Sequence, residues 1–259
     1  MFDYFTSLNP VFLAFLGGLF SLTITSLGSG IVFLFKNLKK EYLNAMLAIS
    51  AGIMISASFF SLINPAIEMC SKLHQNFFFT IVFGFLFGGI FIFFSNKIID
   101  KIKPNKYNGF KGSILLFSSI TLHNIPEGIA IGVAFGNILY GGSLIAALSL
   151  TLGIAIQNFP EGAAISLPLF RNNISRRNSF LLGSISGIVE PIFSVIGALL
   201  VLKINYILTF ILSFAASAMI FVTVFELIPE SQSSEKKDLM ALIFIIGFIF
   251  MMILDVLLG

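Results

Sequence analysis

Two stretches decide the fold: GSILLFSSITLHNIPEGIAIGVAFG at 112–136 and GSLIAALSLTLGIAIQNFPEGAAISLPLF at 142–170. Each exceeds the roughly 20 apolar residues that a helix needs to cross a hydrocarbon core. Neither alternates as a barrel strand would, so both read as membrane helices. Near its middle each carries a block that lipid does not tolerate. The first is His123-Asn124-Ile125-Pro126-Glu127-Gly128; the second is Gln157-Asn158-Phe159-Pro160-Glu161-Gly162, 34 positions later. The short break at 137–142 makes the two helices run in opposite directions. The block is therefore a local inverted repeat, a pattern that marks transporter binding sites.

Working outward, six further apolar stretches appear at about 10–35, 43–64, 77–95, 179–201, 205–229 and 239–258, so the expected fold is all-α with eight transmembrane helices in one domain, 1–259. Composition agrees. Hydrophobic residues make up 57% of the chain and charged residues 10%, too few to cover a soluble surface. An ordinary soluble enzyme, a disordered chain and a nucleic-acid binder are excluded. The single cysteine, Cys70, rules out an internal disulfide and a thiolate cluster. The N-terminus carries only Asp3 and no basic n-region, so no cleaved signal is expected.

Loop charges set the direction. With the N-terminus outside, the inner loops hold 13 basic residues: Lys36, Lys39, Lys40, Lys97, Lys101, Lys103, Lys106, Lys111, Arg171, Arg176, Arg177, Lys236 and Lys237. The outer loops hold only Lys72 and Lys203, so both termini are expected outside. Cys70 and His74 fall in the short outer loop after the second span, in solvated or packing roles. The pairs Gly84/Gly88 and Gly183/Gly187, and the run of small residues at 213–218, read as close helix packing.

The acids at membrane depth carry the functional argument. Glu127, Glu161 and Glu190 lie near the middles of three consecutive spans. An ionised group there costs about 2.5–3.5 kcal/mol unless it meets protein, water or a cation. The bland alternative is a set of hydrogen-bonded carboxyls that lock the helices together. The spacing favours a site. His123 and Glu127 are one turn apart on one helix face, as are Gln157 and Glu161, with Asn124 and Asn158 beside them. Pro126 and Pro160 lack the N–H that would engage the carbonyls of Leu122 and Ile156, which are expected to be free acceptors. Oxygen donors with one imidazole suit zinc, iron or manganese. Met54, mid-span in the second helix, is more often filler. Glu226 and Glu230 flank Pro229 at the inner end of the seventh span, as an ion exit or simply interfacial acids. Asp255 near the outer end of the eighth would cap or pair.

With these motifs the chain resembles the ZIP (Zrt-, Irt-like) family of divalent metal transporters, most of all its GufA-like bacterial branch. Supporting matches are Ser-Gly-Ile-Val-Glu-Pro at 186–191, Phe-Glu-Leu-Ile-Pro-Glu-Ser at 225–231 and Leu-Asp-Val-Leu-Leu-Gly at 254–259. The resemblance implies a two-metal centre between spans four and five. Met54, His123, Glu127, Gln157 and Glu161 would hold one ion. Asn124, Glu127, Asn158, Glu161 and Glu190 would hold the other, with Glu127 and Glu161 bridging. It also implies an elevator-like motion of spans one, four, five and six against two, three, seven and eight, and often a homodimer. Zn²⁺, or Fe²⁺, Mn²⁺ or Cd²⁺, would be transported substrate and not a prosthetic group. The chain departs from the family in three places. Gln157 stands where many members carry His, Asn158 is neutral where an acid can occur, and the loop 96–112 has no His cluster. Fewer imidazoles weaken strict zinc selectivity.

The expected function is Zn²⁺ uptake into the cytoplasm across a bacterial cell membrane. Two rivals stay open on residue grounds: an intramembrane metal-dependent hydrolase, which usually has several histidines, and a passive channel, which often needs rings of identical subunits. A topology test follows from the loop charges. A cysteine placed in loop 96–112 is expected to be shielded from impermeant thiol reagents in intact cells, and one at the C-terminus to be labelled. The reverse labelling pattern would reject the orientation.

Overall fold

A computed structural model describes residues 8–34, 39–101, 110–171, 173–203 and 207–258; the side chains of 99–101, 110–120, 123, 202–203 and 258 lie outside the described set. The imidazole of His123, most of the loop 96–112 and the charges of Lys36, Lys101, Lys103, Lys106, Lys111 and Lys203 fall there. The described residues form helices and no strand. We number the helices α1 (Pro10–Leu34), α2 (Lys40–Lys72), α3 (Phe78–Ile98), α4 (Phe110–Gly136), α5 (Leu144–Arg171), α6 (Arg176–Val201), α7 (Leu208–Ser231) and α8 (Lys237–Leu257). Seven are long and apolar enough to cross a membrane, and α4 has 27 residues. The chain is a multi-pass membrane protein.

Local chemistry sets several boundaries. Asn9 caps α1 by accepting from the Val11 N–H at 2.9 Å, and Pro10 occupies the first helical position, where its missing N–H costs nothing. Ser175 caps α6 by accepting from the Asn178 N–H. Pro126 and Pro160 do not break their helices: α4 and α5 continue through both.

Three expectations need correction. The second span does not stop at 64. It widens into a π-turn over Ser58–Ile63, where the Asn64 N–H reaches back to the Phe59 carbonyl, and continues past Pro65 to Lys72. The wider turn re-partners the backbone ahead of a proline that cannot donate. Cys70 is therefore a buried helical residue and not a loop residue. His74 sits just beyond, at φ 51°. The same device recurs in α7, with a π-turn over Thr223–Leu227 ahead of Pro229. Finally, the sixth span is not continuous. It breaks at Gly187–Ile188, and Glu190 lies in the first turn of the second segment.

Helices α1, α4, α5 and α6 pack on one another, with α4 against α6 and α1 against α5; α2 lies along α8, and α3 along α7. Small residues bring the backbones together. Gly28 faces the Phe159 carbonyl, and Gly162 faces the Thr25 carbonyl, so any side chain at either position would collide with backbone. Gly84 and Gly88 meet the Phe210 and Phe214 carbonyls of α7, the packing role the sequence suggests. Gly28→Leu forces α1 away from α5, an overpacking strain of about 1–3 kcal/mol. We expect a lower thermal midpoint in detergent by fluorescence-detected size exclusion. Leu27→Phe, on the outward face next door, should leave it unchanged; equal behaviour of the two variants would contradict the contact.

Candidate metal site

The α1–α5 and α4–α6 contacts gather the motif side chains in the middle of the bundle. Asn124, Glu127, Gln157, Asn158 and Glu190 are fully buried, and Glu161 is 1% exposed. Gln157 donates from Nε2 to Glu127 Oε1 at 2.5 Å, across the inverted repeat. Asn124 Nδ2 donates to Glu190 Oε1 at 3.3 Å and to the Ser186 carbonyl at 3.1 Å. The break in α6 permits the second bond. The Glu190 N–H turns to the Gly187 carbonyl, so the Ser186 carbonyl is not taken by the residue four further on.

The amides share one orientation. Each turns its nitrogen onto an acceptor and leaves its oxygen bare. Asn124 Oδ1, Gln157 Oε1 and Asn158 Oδ1 are buried without a hydrogen-bond donor, and so are Glu127 Oε2 and Glu190 Oε2. Buried acceptors almost always find a donor, and leaving one bare costs about 1–3 kcal/mol. Five such oxygens, all from motif residues or Glu190, form a cluster of unmatched acceptors, a set that suits a cation. Among the described residues, which leave out the His123 side chain, no three His, Cys, Asp or Glu side chains close on one point.

Residues outside the motifs complete the surroundings. Ser50 Oγ on α2 donates to the Gln157 carbonyl at 3.0 Å and lies 3.4 Å from Glu161 Oε1. Met54 is one turn along the same face, fully buried, with its sulfur accepting from Thr223 Oγ1 at 3.6 Å. From α1, Ser21 Oγ accepts from Asn158 Nδ2 at 2.9 Å, and Thr25 Oγ1 lies 3.4 Å from Glu190 Oε1. Sequence reasoning passed over Ser21, Thr25 and Ser50. The available signal was the buried hydroxyl stripe Ser21, Thr25 and Ser29 at four-residue spacing on an otherwise apolar helix. Gly187, read as a packing residue, does pack closely on Leu22 and Thr25 of α1, and it also abuts this site: a Cβ there would stand 3.0 Å from Glu190 Oε1.

Other candidates lie apart. Glu226 is half-buried in the π-turn of α7, and Glu230 is exposed. Asp255 accepts from Ser61 Oγ at 2.5 Å beside a cavity of about 330 Å³, which Asn64, Glu68, Asn137 and Ser143 also line. The C-terminal ends of α2 and α8 and the α4–α5 turn thus share one end of the bundle.

Residues 107–255 match the profile of the family described as ZIP Zinc transporter. The chain belongs to the ZIP family. A protein named Zinc transporter ZIP11 from Xenopus tropicalis is 32% identical over 97% of this chain and 98% of its own length. The human protein of that name is 31% identical over the same shares. Zinc transporter GufA of Myxococcus xanthus is 29% identical over 92% of this chain and 95% of its own. ZIP proteins are transporters and not enzymes, which removes the hydrolase reading. If a cation satisfies the five oxygens, Zn²⁺ at 100 times its Kd stabilises the purified protein by about 2.7 kcal/mol. We expect the thermal midpoint to rise by about 5 °C with Zn²⁺ and to fall back with chelator. An unchanged midpoint at saturating metal would leave the oxygens without an explanation.

Proposed function

We propose that this chain carries Zn²⁺ into the cytoplasm by alternating access around the mid-membrane site, with the metal as transported substrate. Its membership of a zinc transporter family supports the transport of zinc. The observation that carries the site is the group of five bare, buried oxygens on Asn124, Glu127, Gln157, Asn158 and Glu190. In this reading Zn²⁺ lies between α4 and α5. Glu127 and Glu161 neutralise it, and Met54, His123 and Gln157 complete its neutral donors. A second cation position uses Asn124, Asn158 and Glu190 and shares the bridging carboxylates.

Alternating access here is elevator-like. The mutual packing of α1, α4, α5 and α6 supports a moving body, with α2, α3, α7 and α8 as its support. Ser50 and Met54 on α2 would then touch the cargo from the stationary side. Glu226 and Glu230 would receive the ion at the cytoplasmic end. Both termini face outward, the assembly is a homodimer, and the membrane is a bacterial cell membrane. The 13-to-2 charge split supports the first, and the GufA relative supports the last.

Two sets of variants test the site. Glu127→Gln or Glu161→Gln removes a charge from a dehydrated dication, so ⁶⁵Zn uptake should fall below about a tenth with folded protein retained. Near-normal uptake in both would reduce the carboxyls to helix locks. Gln157→His replaces a weak amide donor with imidazole. It should lower the KM for zinc, leave the maximal rate equal or lower, and reduce acceptance of Mn²⁺. His123→Gln should do the opposite. If Gln157→His changes neither affinity nor preference while His123→Gln does, Gln157 is not a ligand.

A further inference from the structure

Helix α1 enters a part of the site that the repeated motif does not describe. Ser21 and Thr25 are fully buried, one turn apart on one face, and the Thr25 hydroxyl also reaches the Ser21 carbonyl at 3.1 Å. Ser21 Oγ is 2.9 Å from Asn158 Nδ2, Thr25 Oγ1 is 3.4 Å from Glu190 Oε1, and Asn124 Nδ2 is 3.3 Å from the same carboxylate oxygen. Among them lie Asn124 Oδ1, Asn158 Oδ1 and Glu190 Oε2, three buried oxygens with no donor. Space is kept open beside them. A Cβ on Gly187 would stand 3.0 Å from Glu190 Oε1 and 3.2 Å from Thr25 Cβ. Two hydroxyls, two amide oxygens and one carboxylate make an all-oxygen set, the environment of a hard cation.

Charge decides which hard cation. Zn²⁺ between Glu127 and Glu161 is neutralised by their two carboxylates, because Met54, Gln157 and a neutral imidazole add none. Glu127, Glu161 and Glu190 together carry three negative charges, so one remains once Zn²⁺ is bound, and Asn158 supplies no fourth. A dication here would leave a net positive charge in the middle of the membrane, whereas a monovalent cation leaves none. Of the two common monovalent cations Na⁺ is the smaller and harder, which suits an all-oxygen set between closely packed helices. We propose that Ser21, Thr25, Asn124, Asn158 and Glu190 form an Na⁺ site occupied together with Zn²⁺, so that the two ions travel in one step. The inference rests on the zinc position proposed above.

The test uses the full chain in proteoliposomes, with ⁶⁵Zn uptake in NaCl, KCl or choline chloride at equal ionic strength and with ²²Na flux followed in parallel. Zinc uptake at low zinc should be about fivefold or more faster in Na⁺, and zinc should drive ²²Na⁺ entry. Thr25→Val and Ser21→Ala should each raise the Na⁺ concentration for half-maximal uptake about tenfold, while Thr25→Ser restores it. Asn158→Asp, which adds the fourth charge, should abolish the Na⁺ requirement. Thr151→Val, whose hydroxyl donates to the Ala147 carbonyl away from this set, controls for loss of a buried hydroxyl. Equal uptake in NaCl and choline without ²²Na⁺ entry would overturn the Na⁺ site and leave zinc transport standing. Unaltered Na⁺ dependence in Thr25→Val and Ser21→Ala would overturn it too. Zinc-free protein gives a separate reading: NaCl, but not choline chloride, should raise the thermal midpoint, and Thr25→Val should cancel the rise. No zinc uptake in any salt would instead defeat the transport reading, and the zinc-free shift would still decide the Na⁺ site.

Discussion

A carboxylate in hydrocarbon must be neutralised or hydrogen-bonded, and this molecule carries three of them within one bundle core. Most local features around the core answer that requirement. Gln157 crosses from α5 to Glu127, Asn124 crosses from α4 to Glu190, and the Ser50 hydroxyl leans on Glu161 from α2. Gln157 and Asn124 spend donors on the carboxylates, and Asn158 donates to the Ser21 hydroxyl. Each amide oxygen is left bare. Donors are matched and acceptors are in excess, an arrangement that suits a cation.

Backbone irregularities follow from the same need. The break at Gly187–Ile188 releases the Ser186 carbonyl for Asn124 and swings Glu190 into the first turn of a new helical segment. Glycines at 28 and 162 let α1 approach α5 closely enough for Ser21 to reach Asn158. A larger residue at either position would hold the hydroxyl stripe of α1 away from the site. Close helix packing, often a matter of stability alone, here sets the α1 hydroxyls against buried polar groups of α5 and α6.

Four of the eight prolines divide into two kinds. Pro126 and Pro160 sit in unbroken helices beside their glutamates, each removing one N–H from the helical ladder there. Pro65 and Pro229 each follow a π-turn, at the ends of α2 and α7. Both of the latter helices lie outside the group formed by α1, α4, α5 and α6. Ser61 pairs with Asp255 from the α2 turn, and Thr223 meets Met54 from the α7 turn. Widened turns thus place polar contacts on the two helices that flank the central four.

What the sequence by itself determined was the class of solution. Long apolar runs demand membrane helices. The doubled block from His123 and Gln157 demands a polar centre between two of them, because carboxylates at that depth and spacing have few other uses. Periodicity reaches no further than one helix at a time. It placed Glu190 in a continuous span and ended α2 at 64, since neither a glycine break nor a π-turn has a signature in hydropathy. It also passed over Ser21, Thr25 and Ser50. A serine or threonine in an apolar helix can satisfy its hydroxyl on its own preceding turn, as Thr25 does at the Ser21 carbonyl. Only the crossing of α1 over α5 and α6 turns that hydroxyl toward Glu190, and only tertiary packing decides which oxygens are left without a donor.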